Sequence, residues 1–302
     1  MPLNLAKRAT APSLSGTAAH VKAALGPVRL RNDAVSHAPP ALSFTAREIR
    51  DGFENREFEP FYQPKVHMRS LRFVGAAALA RWRHPRVGIV RPHSFVAALE
   101  EAGDVDALMQ LMLTSAAQLR ATLPEADRGV TIAVNVSLRS LADKNLVERI
   151  VELVTQGRVD PHGMTLDVTS PVPAPDSHRA IEHLAHLHAL GFPVSIDSYG
   201  HGYLSMQQLL AVPFSQLKIA PALMECARRH AAAREILASS IAAARSAGVE
   251  VIAGRLESSE DWDLMAGLGC DIAQGNYIAE PMAAGDYLEW LKLQRMPRAT
   301  SA

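Results

Sequence analysis

Residues Arg72–Trp82 read RFVGAAALARW. The run is apolar enough for an interior strand, and its middle, Ala76 to Ala78, carries almost no side chain. An arginine follows directly, and a guanidinium beside an interior strand points to an anion to be held.

Similar short apolar runs recur along the chain: PFYQPKV, VTIAVNVS, MTLDVTS, PVSIDSYG, SQLKIA, VEVIAGR and DIAQGNYIA. Between them lie helical patterns such as PHSFVAALEEAG, VDALMQLMLTSAAQL, NLVERIVELV, HRAIEHLAHLHALG and AAREILASSIAAARSAG, with AGDYLEWLKLQ at the end. Strand–helix alternation predicts parallel pairing through crossover helices. The number of strands favours an α/β, TIM-like (β/α)8 barrel over an open sheet. Order is expected to start at the capping-box pattern TARE, Thr45 to Glu48. Residues 1–42 and 296–302 lack a sustained period and read as disordered tails around a barrel domain of residues 43–295.

Composition limits the partners. The chain has 302 residues, 48% hydrophobic, with 31 basic against 31 acidic residues. A balanced charge gives no reason to expect a nucleic-acid or membrane partner. No run approaches the roughly 18 apolar residues of a membrane span, and the N-terminus lacks a secretory h-region, so a cytoplasmic protein is expected. Cys226 and Cys270 match no metal or redox spacing and read as buried thiols. In HRAIEHLAHLHALG, Ile181, Leu184, Leu187 and Leu190 form the apolar stripe, with His183 and His186 on a solvated face.

Polar residues end several strand runs: Asn135, Asp167, Asp197 and Gln274, with Lys218 inside QLKI. Buried polar groups are costly unless they are satisfied or used. The C-terminal ends of barrel strands are where barrel sites are built.

Taken in order, FYQPKV, GAAALARWRHP, AVNVS, LDVTS, IDSYGHGYLSM, LKIA, VIAGRLES and GCDIAQGNYIAEPM resemble the EAL family of bacterial cyclic di-GMP phosphodiesterases. The resemblance spans roughly residues 46–293. It implies an EAL-type barrel whose strand ends hold two divalent ions, Mg²⁺ or Mn²⁺, that activate a water toward a phosphodiester. On that pattern, the ligand-contacting positions are Gln63, Leu79, Arg81, Pro92, Asn135, Asp197, Lys218, Glu257 and Gln274. Arg81 is the phosphate hook and Lys218 the remnant of the catalytic lysine. The metal positions kept are Asn135, Asp167 and Asp197.

The departures matter as much. The family's acidic positions fall on Ala77, Ser198, Ala220 and Gly254. What is left is enough for at most one weakly held Mg²⁺ or Mn²⁺, with no cofactor required. Ser198 and Gly254 are expected to open the pocket. Fewer carboxylates also repel a dianionic ligand less.

The resemblance therefore implies a catalytically inactive EAL protein that acts as a cyclic di-GMP receptor in bacterial signalling, with motility or biofilm formation among its outputs. One alternative is a protein-interaction regulator that no longer binds nucleotide. Another is a weak phosphodiesterase giving linear pGpG, with Glu257, Asp271 or Glu280 as substitute ligands. An unidentified protein partner is expected. The loop with Gly200, Gly202, Tyr203 and Met206 implies a homodimer.

Overall fold

The computed structural model describes residues 44–169 except 125, 126 and 128, and residues 177–199 and 213–295. The two tails, the Gly200–Met206 loop and the Ser198 side chain lie outside the described residues.

Chain order is α1 (Ala46–Glu54), β1 (Phe58–His67), β2 (Phe73–His84), β3 (Gly88–Val90), α2 (Val96–Ala102), α3 (Val105–Thr122), β4 (Thr131–Ser137), α4 (Leu138–Leu141), α5 (Lys144–Thr155), β5 (Met164–Thr169), α6 (Ser177–Ala189), β6 (Val194–Tyr199), β7 (Gln216–Ile219), α7 (Pro221–Arg229), α8 (Ala231–Ser246), β8 (Glu250–Ala253), α9 (Ser259–Gly267), β9 (Ile272–Gln274) and α10 (Ala284–Arg295). The strands run in the order β1-β9-β8-β7-β6-β5-β4-β2, and β1 pairs back onto β2, which closes a ring of eight; β3 is appended to β2. The expected barrel is therefore present.

One strand departs from the all-parallel expectation. β1 is antiparallel to both β2 and β9. The cause is local: only residues 68–72 join β1 to β2, a connection far too short for a crossover. The remaining neighbours, from β2 through β4 to β9, pair in parallel.

The period of two decides what faces the barrel interior. Leu166 and Val168 of β5 turn outward and are buried beneath the helices, while Asp167 turns inward. On β2, Ala76 and Ala78 lie under the outer layer, and Ala77, Leu79 and Arg81 share the opposite face. Trp82 anchors the outside of this strand. It stacks on Phe58 and meets Phe44 and Phe95, and its Nε1 donates to Glu57 Oε2 at 2.8 Å. Gly52 lets α1 approach, because a Cβ there would lie 2.9 Å from Trp82 Nε1.

α1 opens with the expected capping box. The Thr45 hydroxyl accepts from Glu48 N at 3.2 Å, and Glu48 Oε2 accepts from Thr45 N at 3.0 Å. Thr45→Ala should cost about 1 kcal/mol. The thermal midpoint should then fall by about 2–4 °C. An unchanged midpoint would show that α1 is held by Trp82 packing alone.

Cys270 is buried as expected, but Cys226 is exposed, because α7 turns it away from the barrel. His183 is not on a solvated face: it is half-buried, and its Nδ1 lies 2.7 Å from the Leu141 carbonyl. Among the described residues, no helix is long and apolar enough to cross a membrane.

Candidate functional site

The deepest polar cluster is built by β1, β5, β6 and β7. Asp167 of β5 is fully buried. Lys218 of β7 donates to Asp167 Oδ2 at 2.5 Å, and its Nζ lies 3.5 Å from Asp197 Oδ1 of β6. Burial alone would push the Lys218 ammonium toward the neutral form. Asp167 and Asp197 outweigh it and hold the lysine protonated, above the usual lysine range. The carboxyl of Asp167 is likewise lifted by burial but pulled below its usual range by Lys218 and then by Lys65.

Lys65 is a participant that the family pattern does not single out. It is 3% exposed and stands opposite Gly75 on β2 and Gln274 on β9. Burial pushes its ammonium down to about 8, against the pull of Asp167. The signal for it was present in FYQPKV: two residues after Gln63 on a strand is the same face.

Above this cluster the two glutamines lock together. Gln274 Nε2 donates to Gln63 Oε1 at 2.9 Å. Gln63 Nε2 donates to Asn276 Oδ1 at 3.1 Å and to the Ala279 carbonyl at 3.2 Å. Gln274 Oε1 is buried with no hydrogen-bond partner, which leaves an acceptor facing the interior. Asn135 pairs in register with Asp167 on the next strand and is exposed at the mouth.

Three of the positions where the resemblance implies an acidic residue lie in or beside the strands of this cluster. Ala77 is buried between Gln63 on β1 and Ala133 on β4. Ala220 is buried at the N-cap of α7, its N–H donating to the Tyr199 carbonyl at 3.0 Å. Gly254 does not open the pocket as expected. A Cβ there would lie 3.2 Å from both Cγ and Cδ of Lys218, so the stem of that lysine already occupies the space.

Farther up β2, Arg81 is only 9% exposed. It donates from Nη1 to the Ala80 carbonyl at 2.8 Å and lies 5.6 Å from the centre of the Phe61 ring. Burial, and then the neighbouring Arg91, lower its pKa to about 10. Leu79 is half-buried beside Phe61, and Pro92 opens a short 3₁₀ turn after β3. Glu257 is exposed and lines a separate cavity of about 230 Å³ with Pro221, Arg228 and Arg255.

Of the spare carboxylates, Asp271 does not reach the site. Its Oδ2 accepts from Val251 N at 3.0 Å, at the start of β8, and its Oδ1 pairs with Arg245 at 3.2 Å. It therefore sits at the opposite end of the barrel. Glu280 is exposed in the loop after β9. Among the described residues, no three His, Cys, Asp or Glu side chains come together as metal ligands.

A profile of the EAL domain matches residues 46–281. The cyclic di-GMP phosphodiesterase RocR of Pseudomonas aeruginosa is 31% identical over 245 residues, which cover 80% of this chain and 62% of RocR. The bifunctional diguanylate cyclase/cyclic di-GMP phosphodiesterase MucR of the same organism is 28% identical, covering 80% of this chain and 35% of MucR. The chain thus spans less than two thirds of either relative. Among solved structures, the EAL enzyme Bd1971 bound to cAMP and cyclic di-GMP superposes with a TM-score of 0.74 at 27% identity, over 80% of this chain and 67% of that one. The MucR phosphodiesterase in complex with cyclic di-GMP gives 0.73 at 28% identity, over 80% and 98%. With the profile covering most of the barrel and both structures sharing its closed ring, this chain belongs to the EAL domain family.

Proposed function

We propose that this chain is a cyclic di-GMP receptor that binds the dinucleotide without cutting it and passes the signal to a protein partner or a second copy. One observation carries the reading: the Lys218 ammonium is seated on both remaining aspartates, Asp167 and Asp197. Two-metal hydrolysis needs carboxylates that bridge two divalent ions about 3.5–4 Å apart. Hard cations also need several oxygen ligands each. Asn135, Asp167 and Asp197 supply too few, and a lysine already takes an oxygen of Asp167. The donor set does not fit a metal pair.

The ligand identity is supported by the neighbours: the MucR domain and Bd1971 are both described with cyclic di-GMP. Arg81 supports it from within this chain, as a buried guanidinium with no carboxylate partner among the described residues. A second reading, a slow phosphodiesterase giving linear pGpG, is favoured by the named activity of RocR.

Calorimetry with cyclic di-GMP in EDTA should show binding. Arg81→Ala should weaken it about 10–100-fold, the worth of a charged hydrogen-bond pair. Chromatography after incubation with Mn²⁺ should show no linear dinucleotide at stoichiometric protein. Product formation would establish the slow enzyme instead. No heat at high micromolar dinucleotide would leave a module that acts through protein contacts alone.

A further inference from the structure

The β2–β3 hairpin pairs Trp82 with Val90, Arg83 with Ile89 and His84 with Gly88. Arg91 keeps an extended backbone, with φ −88° and ψ 156°. The paired ladder ends at Trp82 and Val90, and one further step along the same extended backbone brings Arg91 alongside Arg81. Directly opposite residues of an antiparallel pair project from the same face, with Cβ atoms about 4.5–5.5 Å apart. Like charges in that arrangement are destabilising unless something neutralises them.

No side chain does. Glu59 faces Arg81 from β1, but it is bound to Arg83. Glu57 accepts from the Trp82 indole, and Glu48 holds Arg86 at 2.7 Å. Among the described residues, neither Arg81 nor Arg91 has an ion pair. Arg91 is exposed, while Arg81 is held by Phe61 and its own backbone. The electrostatic influence of Arg91 on Arg81 gives separate support for their closeness.

Paired guanidiniums, one buried and one exposed, match the oxygens of a phosphate group. We propose that Arg81 and Arg91 form a metal-free phosphate clamp at the barrel mouth, Arg91 adding the second guanidinium to a phosphodiester that Arg81 holds. The clamp supplies positive charge to the anion without a divalent ion. It rests on the receptor reading for the identity of the natural ligand, but not for its affinity for phosphate.

The test uses the full chain in EDTA and two probes. Inorganic pyrophosphate should move the side-chain NMR resonances of Arg81 and Arg91 together. For cyclic di-GMP, Arg91→Gln should weaken binding about 10-fold. Its salt dependence should flatten, because one charge has gone. Arg91→Lys should recover the salt dependence but only part of the affinity. If cyclic di-GMP binds and Arg91→Gln changes neither affinity nor salt dependence, the clamp is wrong and the receptor reading stands. If cyclic di-GMP fails to bind but pyrophosphate moves both arginines, the receptor reading falls and the clamp stands. If pyrophosphate moves neither arginine, the clamp is overturned.

Discussion

Replacing Lys218 by methionine is expected to lower the unfolding free energy by about 3 kcal/mol or more, at near-constant side-chain volume. The reason lies in what is left behind. Asp167 has a side chain 1% exposed, and its Oδ2 would lose the ammonium 2.5 Å away. Removing one partner of a buried ion pair costs about 3–5 kcal/mol because the other charge stays buried and uncompensated. Lys65 remains close to Asp167 and softens the loss, which favours the lower end of that range. Urea unfolding followed by tryptophan fluorescence measures the effect, with Trp82, Trp262 and Trp290 as reporters.

The matching double variant separates two explanations. If the cost is an orphaned carboxylate, Lys218→Met combined with Asp167→Leu should recover part of the stability, with Asp197 still offering Lys65 a counter-charge. If Lys218 acts mainly by packing its stem against Gly254, the second substitution should add to the damage. A loss below about 1 kcal/mol in the single variant would place the pair in the range of exposed salt bridges and remove the basis for reading Lys218 as the resident cation.

How much of this was legible in the sequence depends on the range of the interaction. Inward and outward faces were legible, because a period of two is local: MTLDVT and PVSIDSY place Asp167 and Asp197 inside without any tertiary information. The polar strand ends were legible for the same reason. Ring closure through an antiparallel β1 was not read from the alternation, although the five residues between β1 and β2 already forbid a crossover. α7 and α9 were not anticipated, because PALMECARR and SEDWDLMAG are short and their apolar stripes narrow.

Contacts between strands were the hidden part. Gly254 read as a hole because spacing cannot say that a lysine from β7 will lay its stem there. Lysine has four rotatable side-chain bonds, so its reach is set by its partners rather than by its position. Arg91 was missed because its partner depends on hairpin register, which moves with the position of the turn. At Ala77 the resemblance implies an acidic residue, whereas the locked Gln63–Gln274 pair beside it needed coordinates.

The second large effect is expected at Gly275, just past Gln274. Gly275→Ala should cost about 3 kcal/mol or more and weaken ligand binding with it. An ideal Cβ at this position would lie 2.2 Å from both the N and O atoms of Leu256. Those are backbone atoms, so no rotamer change relieves the clash, and overpacking of this kind costs about 1–3 kcal/mol before any bond is broken. Bonds would also break, because the two loops are stitched there. Leu256 N donates to Gln274 O at 3.0 Å, and Tyr277 N donates to Leu256 O at 2.9 Å. Net losses of about 0.5–1.5 kcal/mol each add to the steric cost. The damage reaches the site because the same loop carries Asn276 and Ala279, which hold the Gln63 amide. Gly285→Ala is the control. It lies in α10 with nothing within 4 Å of the added Cβ, so the same substitution there should stabilise by up to about 1 kcal/mol. Opposite signs for the two alanines in urea unfolding would locate the cost in the contact with Leu256; equal, small effects would mean that the two loops separate at little cost and do not hold Gln63 in place.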